Sequence, residues 1–178
     1  MVRERRGVPL LLACCAAAAG AAGCGYALVG RASNLPADVR QVFVRPLENR
    51  TPRTQVEQFL TTAITEELVT RQRFTLVAST AEADAELVGT VTAFAVTPVT
   101  FDAQGRATEY EIAITARVSF RRTGTEEAVL WSSERYVFRE SYPVEVSEIG
   151  YFDQEDTALR DAAKRFAETM VSDLLEGF

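Results

Sequence analysis

Residues 109–122 read EYEIAITARVSFRR, and they decide the fold. Tyr110, Ile112, Ile114, Ala116, Val118 and Phe120 alternate with Glu111, Ala113, Thr115, Arg117, Ser119 and Arg121. Alternation with period two puts the first set on one face of a strand and the second on the other. A strand that is apolar on one face only belongs to an antiparallel sheet with a single covered side. The covering layer has to come from elsewhere in the chain.

Downstream, Thr123-Gly124-Thr125-Glu126-Glu127 turns the chain into Val129–Tyr142, a second β-rich run that should pair with the first as a hairpin. Upstream, Glu86–Val96 is another strand, with Gly89 expected at a bulge. Thr97–Thr108 contains Pro98 and Gly105 and reads as the hairpin loop between them. Val39–Leu47, stopped by Pro46, and Arg73–Ala78 are shorter strands, and Glu48–Pro52 reads as a turn. Pro143–Tyr151 is a linker.

Two segments supply the cover. In Thr54–Arg71, Val56, Phe59, Leu60, Ala63, Ile64 and Leu68 recur at the spacing of one helical face, and Thr54 and Glu57 fit a capping box. In Asp153–Leu175, Leu159, Ala162, Ala163, Phe166, Met170 and Leu174 form the apolar stripe. Asp153 suits its cap, and Glu155 and Asp156 suit its positive end. The expected fold class is α+β: a two-layer sandwich with two amphipathic helices packed on one face of a mostly antiparallel four- to five-stranded sheet. The other sheet face stays polar.

The N-terminus has a different character. Residues 1–25 open with Arg3, Arg5 and Arg6, continue through apolar and small residues from Val8 to Ala22, and reach Ala21-Ala22-Gly23-Cys24. A basic start, a short apolar run and small residues at a cleavage site make a secretory signal peptide. Small residues stopping at a cysteine fit a lipoprotein signal, with residues 1–23 removed and lipid, palmitate included, on Cys24. Ordinary signal cleavage, leaving Cys24 unmodified, is the alternative. A rival site at Cys14 would leave an apolar core of about six residues, below the usual ~7–15. The division is therefore 1–23 signal peptide, 24–37 lipidated cysteine and tether, and 38–178 one domain. Gly25 follows Cys24 where Asp is the usual inner-membrane retention signal in proteobacteria, which points to the periplasmic face of the outer membrane.

Composition excludes several functions. Taking residues 1–23 from the 178 leaves 155, and the net charge of −6 becomes −8, because Arg3, Arg5, Arg6 and Glu4 leave together. An acidic domain without a basic block argues against nucleic acid as a partner. The chain has no His, the commonest general base and transition-metal ligand, and its three cysteines are Cys14, Cys15 and Cys24. It has no Gly-rich phosphate loop and no nucleophile elbow. No metal, no cofactor and no enzymatic activity is expected. Four or five strands also fall short of the roughly eight that a membrane barrel needs.

Cys24-Gly25-Tyr26-Ala27-Leu28-Val29-Gly30 resembles the opening of the lipopolysaccharide-assembly lipoproteins, the LptE family. The likeness continues through Val42-Phe43-Val44, Pro46–Thr51, Leu60–Ile64 and Ala83–Val91. The resemblance implies two helices on a four-stranded sheet. It also implies a role as a plug in the lumen of the lipopolysaccharide translocon β-barrel, an LptD-like partner, which it helps to assemble, and contact with lipopolysaccharide itself.

A barrel lumen is polar, and the face holding Glu111, Thr115, Arg117 and Ser119 would suit it. Arg106, in the Gly105 loop, and Arg121 and Arg122, at a strand end, are the candidate lipopolysaccharide contacts, because Arg pairs with phosphate bidentately. The overall −8 repels an anionic glycolipid, so such contact has to be local. Two alternatives stay open: an activator module for a peptidoglycan synthase or other envelope machine, and a hydrolase using Glu111, Glu134 and Glu140 as a tight acidic group. Replacing Cys24 with Ser should abolish labelling by radioactive palmitate and leave the longer precursor, while Cys14→Ser should change neither. Label retained on the Cys24→Ser chain would contradict the lipoprotein assignment.

Overall fold

The computed structural model describes residues 35–124, 128–144 and 151–177. The signal segment, Cys24, most of the tether, residues 125–127 of the turn and residues 145–150 of the linker lie outside the described residues.

The alternating stretch forms strand β5, Ala107–Arg122. Ile112, Ile114, Ala116, Val118 and Phe120 are at most 1% exposed. Antiparallel neighbours flank it: β4, Ala85–Phe101, on one side and β6, Val129–Pro143, on the other. Three further strands are short: β1 (Gln41–Val44), β2 (Glu48–Asn49) and β3 (Thr75–Leu76). The order is β3-β1-β4-β5-β6, with β2 beside β4 at Thr90 and Val91.

The sheet is therefore mixed and six-stranded, where a mostly antiparallel sheet of four or five strands was expected. The long strands are antiparallel, as the alternation implies. The short ones pair in parallel, β1 with β3 and with β4, and β2 with β4. Helix α1 (Val56–Thr70) explains this for β1 and β3. It returns the chain to the end it came from, and a helical crossover joins parallel neighbours. β2 occupies part of the expected turn, because Arg50 N–H continues the ladder to Val91 O at 2.9 Å.

Helix α1 buries Val56, Leu60, Ile64 and Leu68. Its expected capping box does not form. Gln55 occupies the N-cap with φ 69°, and no side chain caps the helix. Glu57 Oε2 instead accepts from Asn49 Nδ2 at 2.8 Å, and the same Nδ2 donates to Arg53 O at 2.7 Å. Asn49 thus organises the helix entry. Helix α2 (Tyr151–Glu176) starts before Asp153, which lies inside the helix and not at its cap. It buries Leu159, Ala162, Ala163, Phe166, Ala167, Met170, Val171 and Leu174.

The two helices run parallel and are tied at both ends. Arg53, before α1, reaches Asp156 at 2.5 Å and Glu155 at 3.5 Å near the start of α2. Arg71, after α1, pairs with Glu67 at 2.6 Å and donates to Ser172 Oγ of α2 at 2.8 Å. Phe166 is the hub beneath them. Tyr136 and Phe138 of β6 meet its ring edge-on at 5.3 and 5.9 Å between centroids. Tyr136 also donates to Asp173 Oδ2 at 2.7 Å, and burial together with that carboxylate pushes its phenol well above the usual range.

Gly89 is not at a bulge; it pairs in register with Val118. Its role is close approach. A Cβ there would lie 3.2 Å from Leu47 Cγ and 3.3 Å from Arg117 O, tighter than ordinary contact, so glycine lets buried Leu47 close over the strand without being displaced. The register shifts fall between Val91 and Ala93 and around Thr100. The expected hairpin loop is shorter, Asp102–Arg106, because both strands continue past Pro98. Among the described residues β4 has no second neighbour there, so the N–H that proline lacks is not needed.

Phe166→Ala should cost about 3–5 kcal/mol, the range for emptying an aromatic site in a packed core. Urea unfolding followed by circular dichroism would measure it. A loss below about 1 kcal/mol would show that the helix–sheet seam is not packed as described.

Candidate functional site

The odd-numbered residues of β5 project away from the helices. Along this outer face the charges pair in rows. Glu111 meets Arg139 of β6 at 2.6 Å, and Arg117 meets Glu134 of β6 at 2.8 Å. Arg121 grips Glu86 of β4 with Nε at 2.7 Å and Nη2 at 2.5 Å, and Arg45, just after β1, holds the other oxygen of Glu86 at 2.8 Å. The sheet thus carries a cross-strand ladder of ion pairs spanning β1, β4, β5 and β6. Opposite charges facing each other across strands stabilise the pairing by about 0.2–1 kcal/mol each.

Glu86 is the centre of this surface. Its side chain is 5% exposed, against 51% for Arg45 and 39% for Arg121. Burial pushes its carboxyl up, but hydrogen bonds and charge from Arg45 and Arg121 outweigh that and hold it below the usual carboxylate range. Beside it lies a shallow groove of about 220 Å³, lined by Arg45, Gly89, Arg117, Ser119 and Arg121 among others. Thr115 lies further along the same strand, its carbonyl accepting from Thr92 Oγ1 at 3.1 Å.

Of the four expected face residues, Arg117 and Ser119 line this groove, while Glu111 and Thr115 sit on the same face beyond it. The three candidate arginines do not come together. Arg106 sits in the hairpin loop with Asp102 at 2.8 Å. Arg121 lies on the outer face, and neighbouring Arg122 projects to the opposite side and pairs with Asp38 at 2.7 Å. Arg122 holds the Asp38 carboxyl below its usual range. At about 3.3 Å per residue, Arg106 lies roughly 50 Å along the strand from Arg121. Arg45 and Glu86 were not anticipated. The available signal was a single charge, Glu86, opening an otherwise uncharged strand, followed on the next strand by Arg121 in register with it.

The carboxylate group required for hydrolysis is not assembled. Glu111 and Glu134 pair with different arginines on the outer face, and Glu140 pairs at 3.1 Å with Arg165 of α2 on the other side. Among the described residues no cluster of three His, Cys, Asp or Glu is placed to hold a metal ion, and no helix is long and apolar enough to cross a membrane.

A family model described as lipopolysaccharide-assembly, LptE, matches residues 39–174. No curated protein matches the sequence at a significant level. Solved structures share the fold at low identity. A lipoprotein from Caulobacter crescentus is 17% identical over 73% of this chain and 88% of its own, with a TM-score of 0.51. Rare lipoprotein B from Shewanella oneidensis is 12% identical over 76% and 93%, with a TM-score of 0.50. A protein from Chlamydia trachomatis is 11% identical over 79% and 97%, with a TM-score of 0.53.

Glu86→Gln should destabilise the domain by about 1–3 kcal/mol at pH 7, because two arginines lose their shared counter-charge. Its folded pKa is depressed, so its contribution is complete above the unfolded value of about 4.3 and is lost as pH falls through the lower folded value. The gap between the parent and Glu86→Gln in urea unfolding should therefore narrow below about pH 4. A gap that stays constant from neutral to acid pH would contradict the ion-pair assignment.

Proposed function

The chain belongs to the LptE family of lipopolysaccharide assembly, and from that premise we propose that it is an outer-membrane lipoprotein that plugs and helps assemble the lipopolysaccharide translocon β-barrel. Lipid on Cys24 would hold it at the periplasmic face of that membrane. The polar sheet face would meet the lumen wall of an LptD-like partner.

The observation that carries this reading is the neutralised outer face. Glu111, Arg117, Arg121 and Glu86 each have an opposite charge within 2.8 Å. Burying an unpaired charge in an interface is expensive, whereas a surface already paired internally can be covered without leaving a charge behind. Such a surface suits a polar barrel wall, and Glu111, Thr115, Arg117 and Ser119 are its proposed contacts. For lipopolysaccharide we favour Arg121, because Arg45 and Arg117 share its groove and a phosphate could exchange for Glu86 there. Arg106 and Arg122 would be separate contacts, at the hairpin tip and on the other face.

Affinity purification of the full-length protein from outer-membrane extracts should recover a large β-barrel in stoichiometric amount. Depletion should leave that barrel misassembled and lipopolysaccharide missing from the cell surface. Normal surface lipopolysaccharide after depletion, or recovery of a cell-wall synthase in place of a barrel, would overturn the reading.

A further inference from the structure

The two helices differ in how well their own residues support a helix. In α1, seven of fifteen residues branch at Cβ: Val56, Thr61, Thr62, Ile64, Thr65, Val69 and Thr70. In α2 only Thr157, Thr169 and Val171 do so, three of twenty-six. Such side chains lose freedom against the preceding turn of a helix and favour strands. Thr61, Thr65 and Thr70 also turn their hydroxyls back to the carbonyls of Glu57, Thr61 and Glu66, at 2.6, 2.7 and 2.9 Å. Bonds of this kind bend a helix and slightly weaken it.

The ends of α1 are no better set. Gln55 at its N-cap has φ 69° and Gln72, just past its C-cap, has φ 52°. Among the described residues they are the two without glycine's freedom that hold a left-handed backbone, which is unfavourable for any residue with a Cβ. No side chain caps the first turn, and no basic residue in the last turn offsets the negative end of the helix. The ties from Arg53 to Asp156 and from Arg71 to Ser172 lie at the surface, where such contacts are weak. Arg53 Nε is buried without a hydrogen-bond partner among the described residues.

We propose that α1 is a strap that opens as a unit from the folded domain, while α2 and the long strands β4, β5 and β6 stay in place. What holds it closed is the burial of Val56, Leu60, Ile64 and Leu68. A fifteen-residue helix of this composition does not persist in water once that packing is lost, so it melts in one step. α2 stays because Phe166 holds it to Tyr136 and Phe138 of β6, contacts that do not involve α1. Opening bares the helix-facing side of β1 and of the first half of β4, where Val42, Leu87 and Val91 are buried. The device belongs to the domain itself and does not rest on the barrel reading.

Hydrogen exchange of the full-length mature protein, followed segment by segment by mass spectrometry, tests this. Relative to their intrinsic rates, the amides of α1 should exchange together and at least tenfold faster than those of 159–174 in α2 and 112–120 in β5. Urea at about 1 M should change the α1 rates less than about threefold, because local opening exposes little surface, and should speed the β5 amides at least about fivefold. Thr62→Ala combined with Val69→Ala, both at exposed positions, removes two branched side chains and little packing, so exchange of α1 should slow about fivefold. Gln72→Gly relieves the left-handed strain and should slow it about threefold. If α1 exchanges at the rate of β5 with the same urea dependence, it leaves only when the whole domain unfolds and the proposal is overturned. Exchange of α1 that neither set of substitutions slows would overturn it equally.

Discussion

The one-sided burial of β5 is the constraint on which the rest of the structure depends. Five alternate residues, Ile112 to Phe120, are removed from water on one face only. Each large apolar side chain buried there contributes about 1.5–3 kcal/mol relative to exposure. A single helix cannot cover a sheet this wide, so α1 and α2 lie side by side. Arg53 and Arg71 tie their two ends, and Phe166 fills the seam against Tyr136 and Phe138. The crossover through α1 then makes the short strands parallel while the long ones stay antiparallel.

The same alternation that dries one face charges the other. Because same-face side chains of neighbouring strands lie within diagonal reach, residues such as Glu111 and Arg117 find opposite charges on the next strand. The outer face is thereby polar yet largely neutral, and Glu86 beneath Arg45 and Arg121 anchors it. A chain of net charge −6 with this arrangement concentrates its excess acid on the helical layer, away from the sheet. The sheet side is consequently the better surface for a polar wall or for local contact with a phosphate.

The layers were legible because burial on one side imposes period two on Tyr110–Phe120 and a helical stripe on Val56–Leu68 and Leu159–Leu174. The parallel pairing of β1 and β3 was not, since short apolar runs such as Val42–Val44 say nothing about direction. The capping box failed for a tertiary reason: Asn49, from a strand expected to be a turn, takes Glu57 for itself. Gly89 read as a bulge because a glycine in a strand can mark either a bulge or a close approach, and only the position of Leu47 decides between them. At the site, Arg117 and Ser119 were legible from alternation alone. The Arg45–Glu86–Arg121 group was not, because it joins residues 41 and 35 positions apart. Arg121 and Arg122 looked like one cluster in sequence, yet neighbours on a strand face opposite ways.

The most direct measurement is photo-cross-linking in living cells from a probe residue introduced at Thr115, at the middle of the outer face. An adduct with one large outer-membrane β-barrel is expected from this position. If the probe at Thr115 labels no barrel while the protein is folded and present at its normal level, the sheet face is not the barrel-facing surface and the central reading fails.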